Sequence, residues 1–294
     1  MNSSSELGRL AVLDTELAYR SAGAAHLPTA VFLHGNPTSS FVWRKILPLV
    51  APRARCLAPD LVGFGASGKP SIGYRFADHA RYLESFLDAA GVASAYFVAQ
   101  DWGTALAFDL LARRSNLVRG IAFMEFIAPM QDWSQFHQSE GARDLFRRLR
   151  TPGVGESLVL EQNVFIERIL PGGVVRRLSE EEMHAYRGPF LDPHTRSPML
   201  SLPRELPIAH EPADVDARLR IAHAALRESE VPKLLFVGDP GALLSPQAAE
   251  VLASELPHCR LVRLPSGLHY LQEDHPERIG MELAAWIESA EKHS

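Results

Sequence analysis

The chain reads as an α/β protein: a mostly parallel, eight-stranded sheet flanked by helices, with a helical domain inserted into it. Three observations carry that expectation. Eight short apolar runs alternate with helix-length amphipathic segments, the rhythm of strands joined by crossover helices. The later runs are apolar throughout, as strands covered by helices on both faces must be. The stretch 129–207 breaks the rhythm without supplying a strand.

The strand candidates are 10–13, 16–20, 30–34, 55–59, 95–99, 118–125, 233–238 and 260–264. Only the Asp14-Thr15 link separates the first two, which predicts an antiparallel hairpin at one sheet edge. A helix over 76–90 sets Phe76, Ala80, Leu83, Phe86 and Leu87 on one face, with Asp78, Arg81, Glu84 and Asp88 elsewhere. A second, 102–113, follows a strand directly. A third, 245–255, opens with Ser245-Pro246, suited to an N-cap and first helical position. The last, 274–290, carries Ile279, Leu283 and Trp286 as its buried stripe.

Between 129 and 207 the helical pieces are divided by Thr151-Pro152-Gly153, Pro171-Gly172-Gly173, Gly188-Pro189 and Ser197-Pro198. So long a segment is more than a plain connection requires. It predicts a helical cap over the C-terminal edge of the sheet, where open α/β sheets bind ligands. The division expected is a core of 1–128 and 209–294 and a cap of 129–208, with no internal repeat or low-complexity tract.

Composition narrows the partners. Hydrophobic residues make up 46% of the chain, enough for a packed core, and the net charge is −5, so no basic field invites nucleic acid or an anionic membrane. No run of 18 apolar residues exists to span a bilayer, and the polar, Ser-rich stretch from Met1 to Leu10 does not read as a secretory signal. Cys56 and Cys259, far apart and in apolar runs, fit buried thiols in a reducing cytoplasm. The expectation is a cytoplasmic monomer or homodimer.

The most informative segment runs from Ala95 to Phe108. An apolar strand stops at Gln100-Asp101, turns, and restarts as a helix lined by Gly103, Ala105 and Ala107. That is the build of a nucleophile elbow, in which small residues let helix and strand pack closely. Asp101 stands at the nucleophile position. It could equally cap the following helix, where carboxylates are favoured. Two other segments bear on the choice. His34-Gly35-Asn36-Pro37 closes a buried strand, the place from which such folds supply a second oxyanion-hole N–H; Asn36 could alternatively serve the turn. Ser266-Gly267-Leu268-His269-Tyr270 follows the last strand, where a catalytic histidine would stand.

The acid partner has two candidates. Gly238-Asp239-Pro240-Gly241 follows the strand after the cap, but Asp239 comes two residues before the position where an acid is expected, and Gly241 occupies that position. Glu125 ends the preceding strand among Phe123, Met124, Phe126 and Ile127, where a carboxylate is costly unless paired. A histidine N–H is an adequate partner, so Glu125 is assigned to orient His269 and Asp239 to a turn.

These stretches resemble the haloalkane dehalogenases, in particular the subgroup whose triad acid follows the sixth strand, over nearly the whole length. The resemblance rests on Phe32 to Ser40 with Asn36, on Asp60 to Pro70, on Gln100-Asp101-Trp102-Gly103, on Phe123 to Ile127 with Glu125, and on Gly267 to Asp274 with His269. In the cap it rests on Asn163 to Glu167 and on Leu202 to Ile208. It implies an α/β-hydrolase fold, with Asp101 as nucleophile, His269 as base, Glu125 as acid, and Asn36 with Trp102 as halide stabilisers. It implies neither metal nor organic cofactor, only water as co-substrate and a halide ion as product. Three positions depart from it: Ala128 where many relatives have Arg, His210 where Gly is usual, and Gln100 where His often precedes the nucleophile.

The chemistry suits these residue types. A carboxylate can displace a halide at saturated carbon without first losing a proton, unlike Ser. A neutral haloalkane offers almost no hydrogen-bonding group, so its binding site must be apolar. Phe146, Phe165, Leu202, Pro203 and Leu206 from the cap, with Leu243 and Leu268 from the core loops, are the expected lining. The competing readings are an epoxide hydrolase, which would want two cap tyrosines where only Tyr186 is present, and a coelenterazine-type luciferase on the same scaffold.

Overall fold

A computed structural model describes residues 6–292; residues 1–5 of the Ser-rich start lie outside the described residues. The eight strands are β1 (Glu6–Val12), β2 (Thr15–Ala22), β3 (Thr29–Leu33), β4 (Arg55–Pro59), β5 (Ala95–Asp101), β6 (Val118–Phe126), β7 (Lys233–Val237) and β8 (Cys259–Arg263). They form one sheet in the order β1-β2-β4-β3-β5-β6-β7-β8. β1 and β2 make the expected hairpin, but its turn is Leu13-Asp14, because Thr15 is already paired with Val12. β2 also lies antiparallel to β4, and every pairing from β4 through β3 to β8 is parallel.

The chain leaves β3 for β4 on one side and returns to β5 on the other. Strand order therefore reverses between β3 and β5, and a crevice opens outside their carboxyl ends. Both faces of the sheet are covered. Phe86, Phe108 and Leu219 pack over one, and Trp43, Ile279 and Leu283 over the other. All seven residues of β5 are buried, and Ala95–Ala99 accordingly reads as an unbroken apolar run ahead of Gln100 and Asp101.

The helices foreseen lie at Phe76–Ala89, Trp102–Arg113, Pro246–Glu255 and Pro276–Glu291. Ser245 caps the third by accepting the Ala248 N–H. One further helix, Ala213–Glu228, goes beyond the sequence expectation. It buries Val215, Leu219, Ala222 and Leu226 at helical spacing and packs along 102–113.

Between β6 and β7 the chain runs through helical segments, among them Glu140–Arg150, Glu180–Arg187 and Ser197–Arg204. The two ends of this stretch meet where Met130 donates its N–H to the Pro207 carbonyl and accepts from Ala209 N–H. A buried ionic junction ties the stretch to the sheet. The fully buried Glu273 carboxylate receives Arg44 and Arg176 together with the Tyr186 hydroxyl. A buried carboxylate is tolerable only when its lone pairs are filled in this way.

Cys56 is buried in β4 as expected, whereas Cys259 opens the edge strand β8 and is only half-buried, because no further strand covers that edge. Among the described residues, no helix is long and apolar enough to cross a membrane.

Candidate active site

The sequence between Gln100 and Thr104 forces a sharp reversal. Asp101 ends β5 at φ 53° and ψ −128°, outside the regions open to ordinary L-residues, and the helix starts at the next residue. Such strain persists only where its surroundings hold it. A Cβ on Gly103 would stand 2.4 Å from the Leu33 carbonyl oxygen, so only glycine lets the helix approach β3 this closely. Thr104 closes the turn, donating its hydroxyl to the Asp101 carbonyl at 2.6 Å and accepting the Ile127 N–H at 3.2 Å.

The loop after β3 wraps the Asp101 carboxylate. Asn36 N–H donates to Asp101 Oδ1 at 2.8 Å. Gly35 leaves no room for a side chain, since a Cβ there would lie 2.1 Å from the same oxygen. The buried His34 ring braces the loop between the Gly35 carbonyl and the Leu61 N–H, and burial lowers its pKa, keeping it neutral. Asn36 Nδ2 donates one N–H to the Met199 carbonyl at 3.2 Å, which leaves its second N–H for the crevice. Trp102 stands beside it, 3% exposed; among the described residues no acceptor meets its indole N–H.

His269 arrives from the loop after β8. The Gly173 carbonyl accepts both His269 N–H and Tyr270 N–H at 3.0 Å, and the Tyr270 hydroxyl donates to the Asn36 carbonyl at 3.1 Å. The histidine loop is therefore fixed to the inserted segment on one side and to the Asn36 loop on the other. Its ring sits with Nε2 3.5 Å from Asp101 Oδ2 and Nδ1 3.2 Å from Glu125 Oε2. Burial is the largest single influence on its pKa and lowers it. The bonds and charges of Asp101 and Glu125 together more than reverse this, raising it to about 9.

Glu125 is 1% exposed and lies behind the histidine. Besides the ring it receives backbone N–H groups from Ala242, at 3.2 Å, and Leu243, at 2.7 Å. Those donors were not foreseen. Their signal in the sequence is Gly241, whose φ of +73° turns the loop back; a Cβ there would begin 3.2 Å from Glu125 Oε1. The two candidate acid positions thus converge on one place in space. Asp239 is exposed, away from the ring.

A cavity of about 340 Å³ opens over Asp101, bounded by Asn36, Trp102 and His269. Phe146, Phe165, Pro203, Leu206, Leu243 and Leu268 line it as expected. Leu202 does not. It is fully buried in the packing of the inserted helices, because its neighbour Pro203 takes the position facing the cavity. Ile127, Phe136, Leu145 and Ile169 also form the wall, and His137 supplies a polar edge whose pKa burial and then the His269 charge depress to about 4. Tyr186 is occupied by Glu273 and stands outside the wall. Of the three departures, Ala128 and His210 lie off the cavity, His210 binding Asp216 at 3.0 Å, while Gln100 touches His269.

Known proteins resemble this chain in sequence and in fold. A family model described as alpha/beta hydrolase fold matches residues 28–164. A haloalkane dehalogenase of Bradyrhizobium diazoefficiens is 59% identical over 97% of this chain and 95% of its own length. One from Sphingobium indicum is 43% identical over 87% of each. The crystal structure of haloalkane dehalogenase DbeA from Bradyrhizobium elkani superposes with a TM-score of 0.98 at 60% identity, covering 99% of this chain and 100% of that one.

Proposed function

The chain belongs to the haloalkane dehalogenases, hydrolases of carbon–halogen bonds on the α/β-hydrolase fold, and from that premise we propose that it works through a covalent alkyl ester on Asp101. The observation that carries the proposal is a carboxylate at the floor of an apolar cavity, with an amide N–H beside it and an indole N–H that meets no acceptor among the described residues. Donors without competing acceptors suit a departing halide.

Asp101 Oδ1 is taken by the Asn36 N–H, so Oδ2 attacks the saturated carbon. The carbon–halogen bond breaks as the carbon–oxygen bond forms, and the halide leaves onto Trp102 Nε1–H and Asn36 Nδ2–H. Oδ1 is then the ester carbonyl oxygen, and the Asn36 N–H is already in place for the oxyanion that water attack creates.

Esterification also readies the base. One of the two carboxylates that raise the His269 pKa becomes a neutral ester, so the imidazole gives up its proton more easily. Neutral Nε2 takes a proton from water as the water oxygen bonds to the ester carbon, while Glu125 holds Nδ1–H and stabilises the cation; the intermediate collapses by breaking the bond from that carbon to the alkyl oxygen, which leaves as alcohol with the remaining water proton, and His269 gives up its proton to solvent. Glu125 is a positioning residue here; Asp101, Asn36, Trp102 and His269 meet the reacting atoms.

We divide the chain into a core of 1–128 and 209–294 and a cap of 129–208, the cap supplying Phe146, Phe165, Pro203 and Leu206 to the cavity. We propose a small apolar haloalkane as substrate, water as co-substrate, no metal or organic cofactor, and a monomer or homodimer. Its two free cysteines fit a reducing cytoplasm. A halide-release screen across chlorinated, brominated and iodinated alkanes tests the substrate class. Release from 1-bromobutane with formation of 1-butanol is expected, and no release from any member would overturn the reading.

A further inference from the structure

Gln100 takes no part in the steps above, yet it is fully buried one residue before Asp101 with its amide against the base. Its Nε2 lies 2.8 Å from His269 Nε2 and 3.3 Å from the His269 backbone carbonyl. A primary amide nitrogen carries two N–H groups and no lone pair to give, so it meets both as a donor. The carbonyl cannot donate in return, and this fixes which end of the amide faces the ring. The Gln100 oxygen, by contrast, is buried without a partner among the described residues.

An amide N–H aimed at Nε2 is matched by an imidazole nitrogen bearing a lone pair. It is not matched by an imidazolium N–H. Resting on the reading of Asp101 and His269 given above, we propose that Gln100 is a positioning residue for the base: pinned by the His269 carbonyl, its amide steadies the ring and favours the neutral form, and it gives up Nε2 as that nitrogen's one lone pair takes the proton from water. Hydrogen bonding to one protonation state stabilises that state. The groups facing the ring from every side are then opposed. Asp101 from β5 and Glu125 from β6 favour the cation. Gln100 from β5 favours the neutral form, and so does any positive charge on His137 from the inserted segment. Tyr270, on the ring's own loop, packs edge-on with centroids 4.7 Å apart and keeps its proton, burial pushing its pKa well up.

The test follows the ester, not overall turnover. The unaltered protein, Gln100→Met and Gln100→Glu are mixed with 1-bromobutane at pH values from 6 to 10. Halide release in the first turnover is read alongside decay of the butylated protein by quenched-flow mass spectrometry. The acid limb of ester decay is expected to move up by about one pH unit in Gln100→Met, the value of one hydrogen bond. It should move further in Gln100→Glu, whose carboxylate favours the cation. The order, unaltered below Met below Glu, marks a role at Nε2; damage to packing alone would slow decay at every pH and leave the limb in place, overturning the proposal. A downward movement in Gln100→Met would overturn it too. A first-turnover halide burst with an unmoved limb removes Gln100 from the account and leaves Asp101 in it, whereas an unaltered protein that releases halide without ever becoming butylated overturns both.

Discussion

Replacing Trp102, whose ring centroid lies 5.9 Å from that of Phe76, with Phe removes the indole N–H and keeps a smaller aromatic ring. The indole N–H has no protein acceptor among the described residues, so its removal strands no partner in the resting protein, and any loss of stability comes from the ring volume removed. The cost falls on the transition state. Of the donors assigned to the halide, Asn36 Nδ2 already spends one N–H on the Met199 carbonyl, leaving one N–H from each residue. Losing one such donor costs about 3 kcal/mol in a dry site, or on the order of 10²-fold in rate. Rapid-mixing halide release with 1-bromobutane isolates the first step, and the variant should show a burst slowed by about that factor. Ester decay should be nearly unchanged, because the Asn36 N–H is untouched. Equal burst rates in the two proteins, or an equal slowing of both steps, would refute the assignment.

Other perturbations separate the remaining parts. His269→Phe should still be alkylated and then stall, so intact-mass analysis after 1-bromobutane should show one added butyl group. Gly35→Ala places a methyl where Asp101 Oδ1 now lies, and displacement of the carboxylate by about 1 Å should cost at least about 10²-fold in the first step, read by halide release. Glu125→Gln turns an amide N–H₂ toward N–H groups from Ala242, Leu243 and His269, and loses the charge that supports the imidazolium; ester decay should slow by about 10²-fold or more, while the halide burst persists. The His269 pKa is raised to about 9 from an ordinary 6.5, so the folded protein binds this proton more tightly than the unfolded chain. The stability gained is fully present below pH 6.5 and is lost as pH rises through 9; the denaturation midpoint of the unaltered protein relative to His269→Phe should fall over that interval.

The sheet was legible because strands buried on both faces spell themselves as unbroken apolar runs, and β5 and β7 are buried along their whole length. β1 was not, beyond its second half. It lies at the open edge, its exposed residues blur the pattern, and it begins at Glu6 where the apolar run begins only at Leu10. Asp101 and its glycines announced themselves through the strand–turn–helix junction, a local feature. What stayed hidden was long-range: the Ala242 and Leu243 N–H groups that hold Glu125, and the contact between Gln100 and a histidine 169 residues away. Backbone donors carry no residue signature. Between β6 and β7, Leu202 and Pro203 are adjacent and both apolar, and only the fold decides which of them faces the cavity.

The covalent step is tested most directly by a single turnover in ¹⁸O-labelled water with enzyme in excess over 1-bromobutane. An ester on Asp101 predicts that the first butanol carries unlabelled oxygen from the protein and that peptide mass spectrometry finds the label in the Asp101 carboxyl group. Labelled butanol beside an unlabelled Asp101 would contradict it.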